Sequence, residues 1–312
     1  MKMIIDTDPG IDDAMAILYA AAHPGIELLG LTTVFGNVTA RQATRNALHL
    51  VERAGLDIPV AQGENKPLVN GPIEPSHHVH GPEGFGELTS IDARGTKEEE
   101  GAAAFLVRMA RQHRGELVLC PVGPMTNIAK AMLLDPEFAG NLAGIVFMGG
   151  ALDVPGNVTP HAEANAYHDP HALDVVLQSG AAIRMVGLDV TNRVLLDAGD
   201  FEALARINPA QGPFLQEISG LYLEFYAGRA QEGCGLHDPL TVMAAVMPDL
   251  LGLTPTPVRV VLEGPEGGAT RRTTGRAEIE VATACDPELV KELFFAPFRV
   301  AASAKVGAVA IP

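Results

Sequence analysis

The stretch Asp6-Thr7-Asp8-Pro9-Gly10-Ile11-Asp12-Asp13 decides both the fold and the candidate site of this chain. It follows a short apolar strand pattern at residues 3–5 and leads into an apolar helical pattern at residues 14–22. A strand that turns directly into a helix is typical of α/β proteins, whose ligands bind beyond the carboxyl ends of the strands. Its four carboxylates are unfavourable together unless a cation or bound protons neutralise them.

This acidic turn predicts a metal site or a catalytic site. Because side chains alternate along a strand, Asp6 and Asp8 are expected on one side of the strand's end. Asp12 and Asp13 are expected in the first turn of the next helix, pointing roughly 100° apart toward different targets. One acid there could merely cap the helix, whereas four indicate more than a cap. Oxygen ligands alone favour a hard cation, Ca²⁺ or Mg²⁺, over zinc.

Strand and helix patterns alternate through the first 190 residues, which predicts an α/β fold with a largely parallel sheet. Two capping boxes, Thr39 with Gln42 and Thr96 with Glu99, predict the starts of helices. The further strand patterns cover residues 26–35, 117–120, 145–148 and 183–188.

The later part of the chain looks more helical up to residue 247. Strand patterns at residues 258–262 and 277–281, with the glycine-rich stretch 264–268 between them, predict a hairpin. We expect one domain over residues 1–312: an open, largely parallel, Rossmann-like sheet flanked by helices, with a more helical C-terminal part.

Composition excludes several classes of partner. The chain has 312 residues and a formal charge of −16, which argues against nucleic acid because phosphate binding needs clustered Lys and Arg. The apolar stretch at residues 3–5 is too short for the apolar region of a secretory leader, and the apolar run at residues 14–22 is too short to span a membrane. Three widely spaced cysteines fit no disulfide framework, so a reducing cytoplasm is expected.

Two other groups of polar residues leave their roles open. Asp238 follows His237 and precedes a proline, and Asp-Pro occurs five times in the chain, so that count alone favours a helix cap. Three polar residues follow the end of a predicted strand: Asn157, Glu163 and Asn165. They could bind sugar hydroxyls, or they could simply be polar residues of a surface loop. The long segment 62–95 is rich in Gly, Pro and His and is expected to be functional or mobile.

The order of these pieces resembles the nucleoside hydrolase family, the inosine–uridine-preferring nucleoside N-ribohydrolases. The resemblance spans nearly the whole chain. Besides the acidic turn, the motifs that carry it are Val34-Phe35-Gly36-Asn37, His80-Gly81, Pro121-Val122-Gly123-Pro124-Met125-Thr126-Asn127, Met148-Gly149-Gly150, Glu163 with Asn165, and His237-Asp238-Pro239.

The resemblance implies a Ca²⁺-dependent enzyme that hydrolyses the N-glycosidic bond of a ribonucleoside, giving ribose and a free purine or pyrimidine base. It also implies a homo-oligomer, a dimer or a tetramer. The implied calcium ligands are Asp8, Asp13, Asp238 and the backbone carbonyl of Val122. The implied substrate-binding residues are Asp12, Asn37, His80, Met148, Asn157, Glu163, Asn165 and Asp238.

The same resemblance assigns the catalytic roles to Asp8 and His237. Asp8 would be the general base for a water held by calcium, and His237 would help the base to leave. Tyr222, Phe225 and Tyr226 lie where the family's base-binding tyrosines are found, upstream of the His-Asp-Pro motif. Base preference stays open at this point.

Two rival interpretations follow from the acidic turn. A phosphatase resembling the haloacid dehalogenase type would use Asp6 as nucleophile and Asp8 as acid, although Pro9-Gly10-Ile11 departs from that pattern. The other alternative is a non-catalytic, calcium-dependent binder of nucleosides or ribose.

Overall fold

The computed structural model describes residues 1–69 and 71–306, with side chains as far as residue 299. A nine-stranded sheet forms its centre, in the order β10-β9-β11-β6-β5-β4-β1-β2-β3, and a small two-stranded sheet pairs β7 with β8. The strands are β1 (Lys2–Thr7), β2 (Glu27–Thr33), β3 (Val60–Gln62), β4 (Leu117–Pro121), β5 (Gly144–Met148), β6 (Ile183–Val186), β7 (Leu195–Leu196), β8 (Cys234–Gly235), β9 (Leu251–Val260), β10 (Thr270–Arg272) and β11 (Glu278–Cys285).

Helices connect the strands and cover both faces of the large sheet. They are α1 (Ile11–Ala22), α2 (Ala40–Ala54), α3 (His77–His80), α4 (Ala102–Gln112), α5 (Thr126–Leu134), α6 (Phe138–Asn141), α7 (Ala164–His168), α8 (Pro170–Leu177), α9 (Leu188–Thr191), α10 (Ala198–Ile207), α11 (Gly212–Ala227), α12 (His237–Val246) and α13 (Pro287–Val306). A short 3₁₀ helix, Pro248–Leu250, precedes β9.

Strand β1 lies at the point where the sheet changes direction. The chain runs from β1 to β2 and β3 on one side and then returns with β4 on the other, and all these pairs are parallel. Asp6 pairs with Pro121 in register, so the turn after β1 and the turn after β4 leave the sheet side by side. Such a switch point at the carboxyl ends of parallel strands is where α/β sheets bind ligands.

Alternation along β1 places successive side chains in two separate cores. Met3 and Ile5 pack on one face of the sheet, in the core that also holds residues of α1, α11 and α12. Ile4 packs on the opposite face, in the core formed with residues of α4, α5 and α8. Because both faces are covered, β1 is apolar at three consecutive positions, from Met3 to Ile5. The predicted open, largely parallel α/β sheet is confirmed.

The predicted hairpin is only partly correct. Strands β9 and β11 pair antiparallel, as the pattern indicated. The glycine-rich stretch 264–268, however, leads into the extra strand β10, which pairs with the other edge of β9.

One of the two predicted capping boxes is confirmed. Thr39 caps α2, since its side chain accepts a hydrogen bond from the Gln42 amide while the Gln42 side chain accepts one from the Thr39 amide. The box at residues 96–99 is wrong, because α4 begins only after Gly101. The amide of Glu98 donates to the carbonyl of Val60 in β3, which ties this segment to the sheet instead.

Among the described residues, none of the helices combines the length and the apolar character that a membrane span requires.

Replacing Thr39 with Ala should lower the free energy of unfolding by about 1 kcal/mol, the usual loss for an N-cap hydroxyl. Thr39→Ser keeps the hydroxyl and should lose much less. Urea denaturation followed by far-UV circular dichroism measures both variants. Equal stability of Thr39→Ala and the unmodified chain would contradict the assignment of this cap.

Candidate active site

Carboxylates from the two ends of the polypeptide meet beside the carboxyl end of β1. Asp12 and Asp13 lie in the first turn of α1, and Asp238 lies in the first turn of α12. One oxygen from each of the three lies within 4.8 Å of the others, and all three side chains are buried. Residues more than two hundred positions apart in sequence therefore form one cluster that could hold a metal ion.

Asp13 is fixed by the turn that precedes it. Its Oδ1 accepts hydrogen bonds from the Thr7 hydroxyl and the Asp8 amide, and its Oδ2 accepts from the Gly10 amide at 2.9 Å and from Asn37 Nδ2 at 3.0 Å. Asp12 shares the cluster with Asp13 but has a different hydrogen-bond partner: its Oδ2 accepts a hydrogen bond from the Tyr222 hydroxyl at 3.2 Å.

Asp8 lies next to this cluster but is not one of its three members as the structure places them. Its Oδ2 accepts a hydrogen bond from the Asn37 amide at 2.7 Å, and its Oδ1 is buried without a hydrogen-bond partner among the described residues. Two glycines make room for it, because a Cβ on Gly36 would collide with Asp8 Oδ2 and one on Gly123 would lie 2.6 Å from Oδ1.

The cluster is electrostatically unfavourable when all its members are ionised. Burial, followed by the neighbouring carboxylates, raises the pKa of Asp8, of Asp13 and of Asp238. Burial raises the pKa of Asp12 to about 6. Asp12 also has an Oδ1 that is buried and unpaired within the described chain. Unpaired oxygens, buried negative charge and an oxygen-only donor set all fit a hard cation.

Asp6 does not join the cluster, contrary to the expectation that it shares a side with Asp8. Strand β1 ends at Thr7, so the alternation of side chains stops before Asp8. The Oδ1 of Asp6 accepts hydrogen bonds from the Thr32 hydroxyl and from Asn127 Nδ2, and burial raises its pKa to about 7. A buried carboxyl held in this way is unsuited to the nucleophile role that a phosphatase would give it.

Asp238 is not a helix cap either, although the count of Asp-Pro pairs favoured one. Leu236 occupies the N-cap position of α12, and Asp238 falls inside the first turn. The prediction that an Asp-Pro pair caps a helix is correct for Asp169. Its side chain caps α8 by accepting a hydrogen bond from the Ala172 amide at 2.9 Å.

A cavity of about 450 Å³ opens above the cluster. Every site residue predicted from the sequence lines it except Asp8 and Asp13, which are buried beside it. The predicted residues in the lining are Asp12, Asn37, His80, Val122, Met148, Asn157, Glu163, Asn165, His237 and Asp238.

One wall of the cavity carries amides and a carboxylate held by the backbone. Glu163 accepts hydrogen bonds from the amides of Gly150, Asn165 and Ala166. Asn165 Nδ2 donates to the carbonyl of Val122 at 2.8 Å, next to the cluster. These contacts fix the polar groups of this wall before any ligand enters.

The opposite wall joins His237 to aromatic side chains of α11. Its Nε2 lies 2.8 Å from the Tyr226 hydroxyl, and its Nδ1 lies 2.8 Å from the Thr191 hydroxyl. The rings of Tyr222 and Tyr226 pack edge to face with centroids 5.0 Å apart. Burial, followed by repulsion from His80, lowers the pKa of His237 to about 4, so its imidazole is neutral near pH 7.

His80 reaches into the site from the long segment between β3 and α4. Its Nδ1 accepts a hydrogen bond from the Ile11 amide at 3.2 Å and lies 3.8 Å from Asp12 Oδ1. Burial lowers its pKa to about 4. The sequence motif placed His80 near the substrate, but it did not predict contact with the first turn of α1.

Sequence reasoning missed several residues of the site. Thr191, Arg229, His168 and His78 were not singled out as site residues, although the first contacts His237 and the other three line the cavity. The spacing of Tyr222 and Tyr226, four residues apart on one helix, was a usable signal that both face the same way.

The fold and the site define an enzyme with a small-molecule cavity at the switch point of an α/β sheet. A model of the inosine-uridine preferring nucleoside hydrolase family matches residues 3–292. The chain belongs to this family and is an N-glycosidase, as the sequence motifs predicted.

Similar proteins match most of the chain. This chain is 43% identical over 272 residues to a probable uridine nucleosidase 2 of Arabidopsis thaliana. The matched residues cover 86% of this chain and 84% of the relative. This chain is 34% identical over 267 residues to an inosine-uridine preferring nucleoside hydrolase of Crithidia fasciculata, with 84% of each chain covered.

Solved structures agree with the fold. A plant nucleoside hydrolase is 37% identical and superposes with a TM-score of 0.93, covering 96% of this chain and 98% of that one. A purine-preferring ribonucleoside hydrolase from Gardnerella vaginalis is 35% identical with the same TM-score, covering 97% of this chain and all of that one.

Asp238→Asn should make the metal-free protein more stable at pH 8, because it removes one of the buried charges that repel each other. We expect the melting temperature to rise by about 2 °C or more, the effect of about 1 kcal/mol in a chain of this size. Differential scanning calorimetry after chelation measures it, with the exposed Asp249→Asn as a control for the change in charge.

The stability gained in Asp238→Asn should depend on pH. Carboxyls whose folded pKa is raised stabilise the fold at low pH and lose that contribution as pH rises through the folded pKa, which for Asp12 is about 6. The advantage of Asp238→Asn should therefore shrink between pH 8 and pH 5. If Asp238→Asn does not melt at a higher temperature at pH 8, or if its gain in melting temperature grows on acidification, the buried carboxylates do not repel each other as proposed.

Proposed function

We propose that this chain hydrolyses the N-glycosidic bond of ribonucleosides in a Ca²⁺-dependent reaction, giving ribose and a free purine or pyrimidine base. The observation that carries the proposal is the meeting of Asp12, Asp13 and Asp238 beside a cavity lined by polar groups. Membership of the nucleoside hydrolase family supplies the reaction class.

Calcium is the proposed cofactor because the donors are carboxylate and carbonyl oxygens. Asp8, Asp13, Asp238 and the carbonyl of Val122 would hold it. The unpaired Oδ1 of Asp8 and the raised pKa of all three carboxyls support this set. When bound, Ca²⁺ would orient the ribose diol and the attacking water and keep the neighbouring carboxylates ionised.

Asp8 is the proposed general base, which removes a proton from the attacking water. The Asn37 amide holds its Oδ2, and the glycines at positions 36 and 123 let the backbone approach it closely. Its Oδ1 has no partner in the described chain and is the atom we assign to accept the proton. A base fixed in this way is already oriented when substrate binds.

The sugar would lie between the carboxylates and the wall of fixed amides. Asp12 and Asn37 would bind the 2′- and 3′-hydroxyls. The far side of the sugar, near the 5′-hydroxyl, would be bound by Asn157, Glu163 and Asn165, with Met148 beneath it. All six line the cavity. Negative charge next to the ring stabilises the oxocarbenium character that develops as the glycosidic bond breaks.

The nucleobase would lie against the aromatic wall. A base leaves poorly as an anion, so it needs a hydrogen bond or a proton. His237 is assigned to this role because it lines the cavity and its ring is oriented by two hydroxyls, those of Tyr226 and Thr191. His80 would close over the substrate from the long segment that carries it.

Uridine and inosine are the substrates to test first, because relatives are named for them. Four residues line the part of the cavity that a base would occupy: Tyr222, Phe225, Tyr226 and Arg229. We also propose a homo-oligomer, a dimer or a tetramer, and a cytoplasmic location, consistent with three free cysteines. Nucleic acid and membranes are not expected partners.

Asp8→Asn should lower kcat by about 10²–10⁴-fold, the usual contribution of a general base. The assay incubates the chain with uridine or inosine and Ca²⁺ and measures reducing sugar, with Asp249→Asn as the matched control. An unchanged kcat in Asp8→Asn would show that another group takes the proton. Failure of the unmodified chain to act on any ribonucleoside would reject the proposed function.

2′-Deoxyuridine should be a far poorer substrate than uridine, because it lacks one of the two hydroxyls assigned to Asp12 and Asn37. We expect kcat/KM to fall by at least about tenfold, which corresponds to about 1.4 kcal/mol of lost transition-state binding. The same assay compares the two compounds. Equal values would contradict recognition of the diol.

The rival interpretations give different results with the same protein. A phosphatase would hydrolyse p-nitrophenyl phosphate with Mg²⁺ and leave uridine intact. A non-catalytic binder would bind ribose by calorimetry and release no product from any ribonucleoside.

A further inference from the structure

Asn46 is a buried amide that joins two parts of the site without lining the cavity. It lies on α2, and none of its surface is exposed to solvent. Its Nδ2 donates to the carbonyl of Pro9 at 2.9 Å and to the carbonyl of Glu83 at 2.8 Å. Pro9 belongs to the acidic turn, and Glu83 belongs to the segment that follows His80. One side-chain amide therefore connects the turn that carries the carboxylates with the segment that carries His80.

The neighbouring Arg45 fixes the direction of this amide. Asn46 Oδ1 accepts hydrogen bonds from Arg45 Nε at 3.1 Å and from Nη2 at 2.8 Å, so its Nδ2 must face the two carbonyls. Arg45 also forms an ion pair with Glu83, but these two side chains are 30% and 29% exposed. A partly exposed ion pair contributes little, whereas the loss of a buried donor leaves buried acceptors unpaired. The amide of Asn46 is therefore the stronger of the two contacts.

Residues 80–86 form a compact turn, here called the His80 loop. The Gly86 amide donates to the His80 carbonyl at 2.9 Å, which closes the loop on itself. Gly84 has a φ of 91°, and a Cβ on it would lie 2.7 Å from Asn46 Nδ2. Glycine is needed for this conformation and for this close approach. Because the loop is closed at both ends, its contact with Asn46 also fixes the position of His80.

The ring of His80 lies against the same acidic turn. Its Nδ1 accepts the hydrogen bond from the Ile11 amide, so the proton of the neutral imidazole is on Nε2. Nε2 has no hydrogen-bond partner among the described residues, and the ring lines the cavity. The Ile11 amide can hold the ring only while the His80 loop stays next to the turn, and Asn46 joins these two segments.

We infer that Asn46 is a positioning residue for the reaction and that it acts through His80. By joining the His80 loop to the acidic turn, it holds the imidazole against the start of α1 and leaves the Nε2 hydrogen for the cavity. The inference rests on the proposed function, in which His80 closes over the substrate. Asn46 lies outside the cavity, so its effect on the reaction should depend on the presence of His80.

A double-variant cycle with uridine as substrate tests this dependence. Asn46→Ala and His80→Ala should each lower kcat/KM by about tenfold or more, because a displaced or missing group no longer orients the substrate. Asn46→Ala combined with His80→Ala should stay within about twofold of His80→Ala alone, since no imidazole is left to position. Losses that multiply to about a hundredfold or more, as independent effects would, overturn the inference. Full activity of Asn46→Ala would also overturn it.

Asn46→Asp separates the hydrogen bonds from the volume of the side chain. It keeps the shape of asparagine but removes both donors to the carbonyls of Pro9 and Glu83. We expect it to lose about as much kcat/KM as Asn46→Ala. If Asn46→Asp keeps the activity of the unmodified chain, the two hydrogen bonds do not position His80.

Asn208→Ala is the matched control. Asn208 is also a buried asparagine, and its Nδ2 donates to the carbonyl of Phe298 at 3.1 Å, but it does not line the cavity. It should lower the melting temperature as Asn46→Ala does and leave kcat/KM within about twofold. An equal loss of activity in Asn208→Ala would mean that lower stability alone explains the effect, which contradicts the role of Asn46.

The ring of His80 can also be followed without any turnover. In ¹⁵N-histidine-labelled protein, assigned with His80→Ala, the nitrogen resonances should show a protonated Nε2 and an unprotonated Nδ1. In Asn46→Ala they should shift toward those of a free imidazole, which exchanges between tautomers, and in Asn208→Ala they should not move. Unchanged His80 resonances in Asn46→Ala would overturn the inference. If the unmodified chain cleaves no nucleoside, the proposed function fails separately, and this measurement still tests Asn46.

Discussion

The repulsion among buried carboxylates is the constraint on which this structure depends. Asp8, Asp12, Asp13 and Asp238 are packed where water cannot screen them, and burial raises the pKa of each. A globular chain has little reason to collect such charge in its interior unless something positive offsets it. The cluster could therefore bind a metal ion from solution, which would offset its charge.

The sheet topology brings the parts of this site together. The turn after β1 supplies three of the acids, the turn after β4 supplies Val122, and α12 delivers Asp238 from far along the chain. The two walls of the cavity carry different groups. Fixed amides line the wall proposed for the sugar, and neutral imidazoles and tyrosines line the wall proposed for the base. Rigid strand ends hold these groups, so the site needs little rearrangement to receive a sugar.

Much of this was readable from the sequence because the decisive signals are local. The acidic turn after β1 and the capping box of Thr39 depend on residues within a few positions of one another. Asp238 shows the limit: the Asp-Pro pair caps a helix at Asp169, whereas at Asp238 it points into the site, and no local feature separates the two.

Long-range contacts account for the other failures. The predicted capping box at residues 96–99 does not form, because the amide of Glu98 donates a hydrogen bond to Val60 in β3, which is distant in sequence. His168 carries no motif at all, and only the packing of α7 places it in the lining of the cavity.

Protons should occupy the cluster when no cation does. Calcium titration of the chelated protein by calorimetry at pH 7, repeated in buffers of different ionisation enthalpy, tests it most directly. We expect one calcium to bind per chain, with net release of protons. Binding without proton release, or no binding at all, would contradict it.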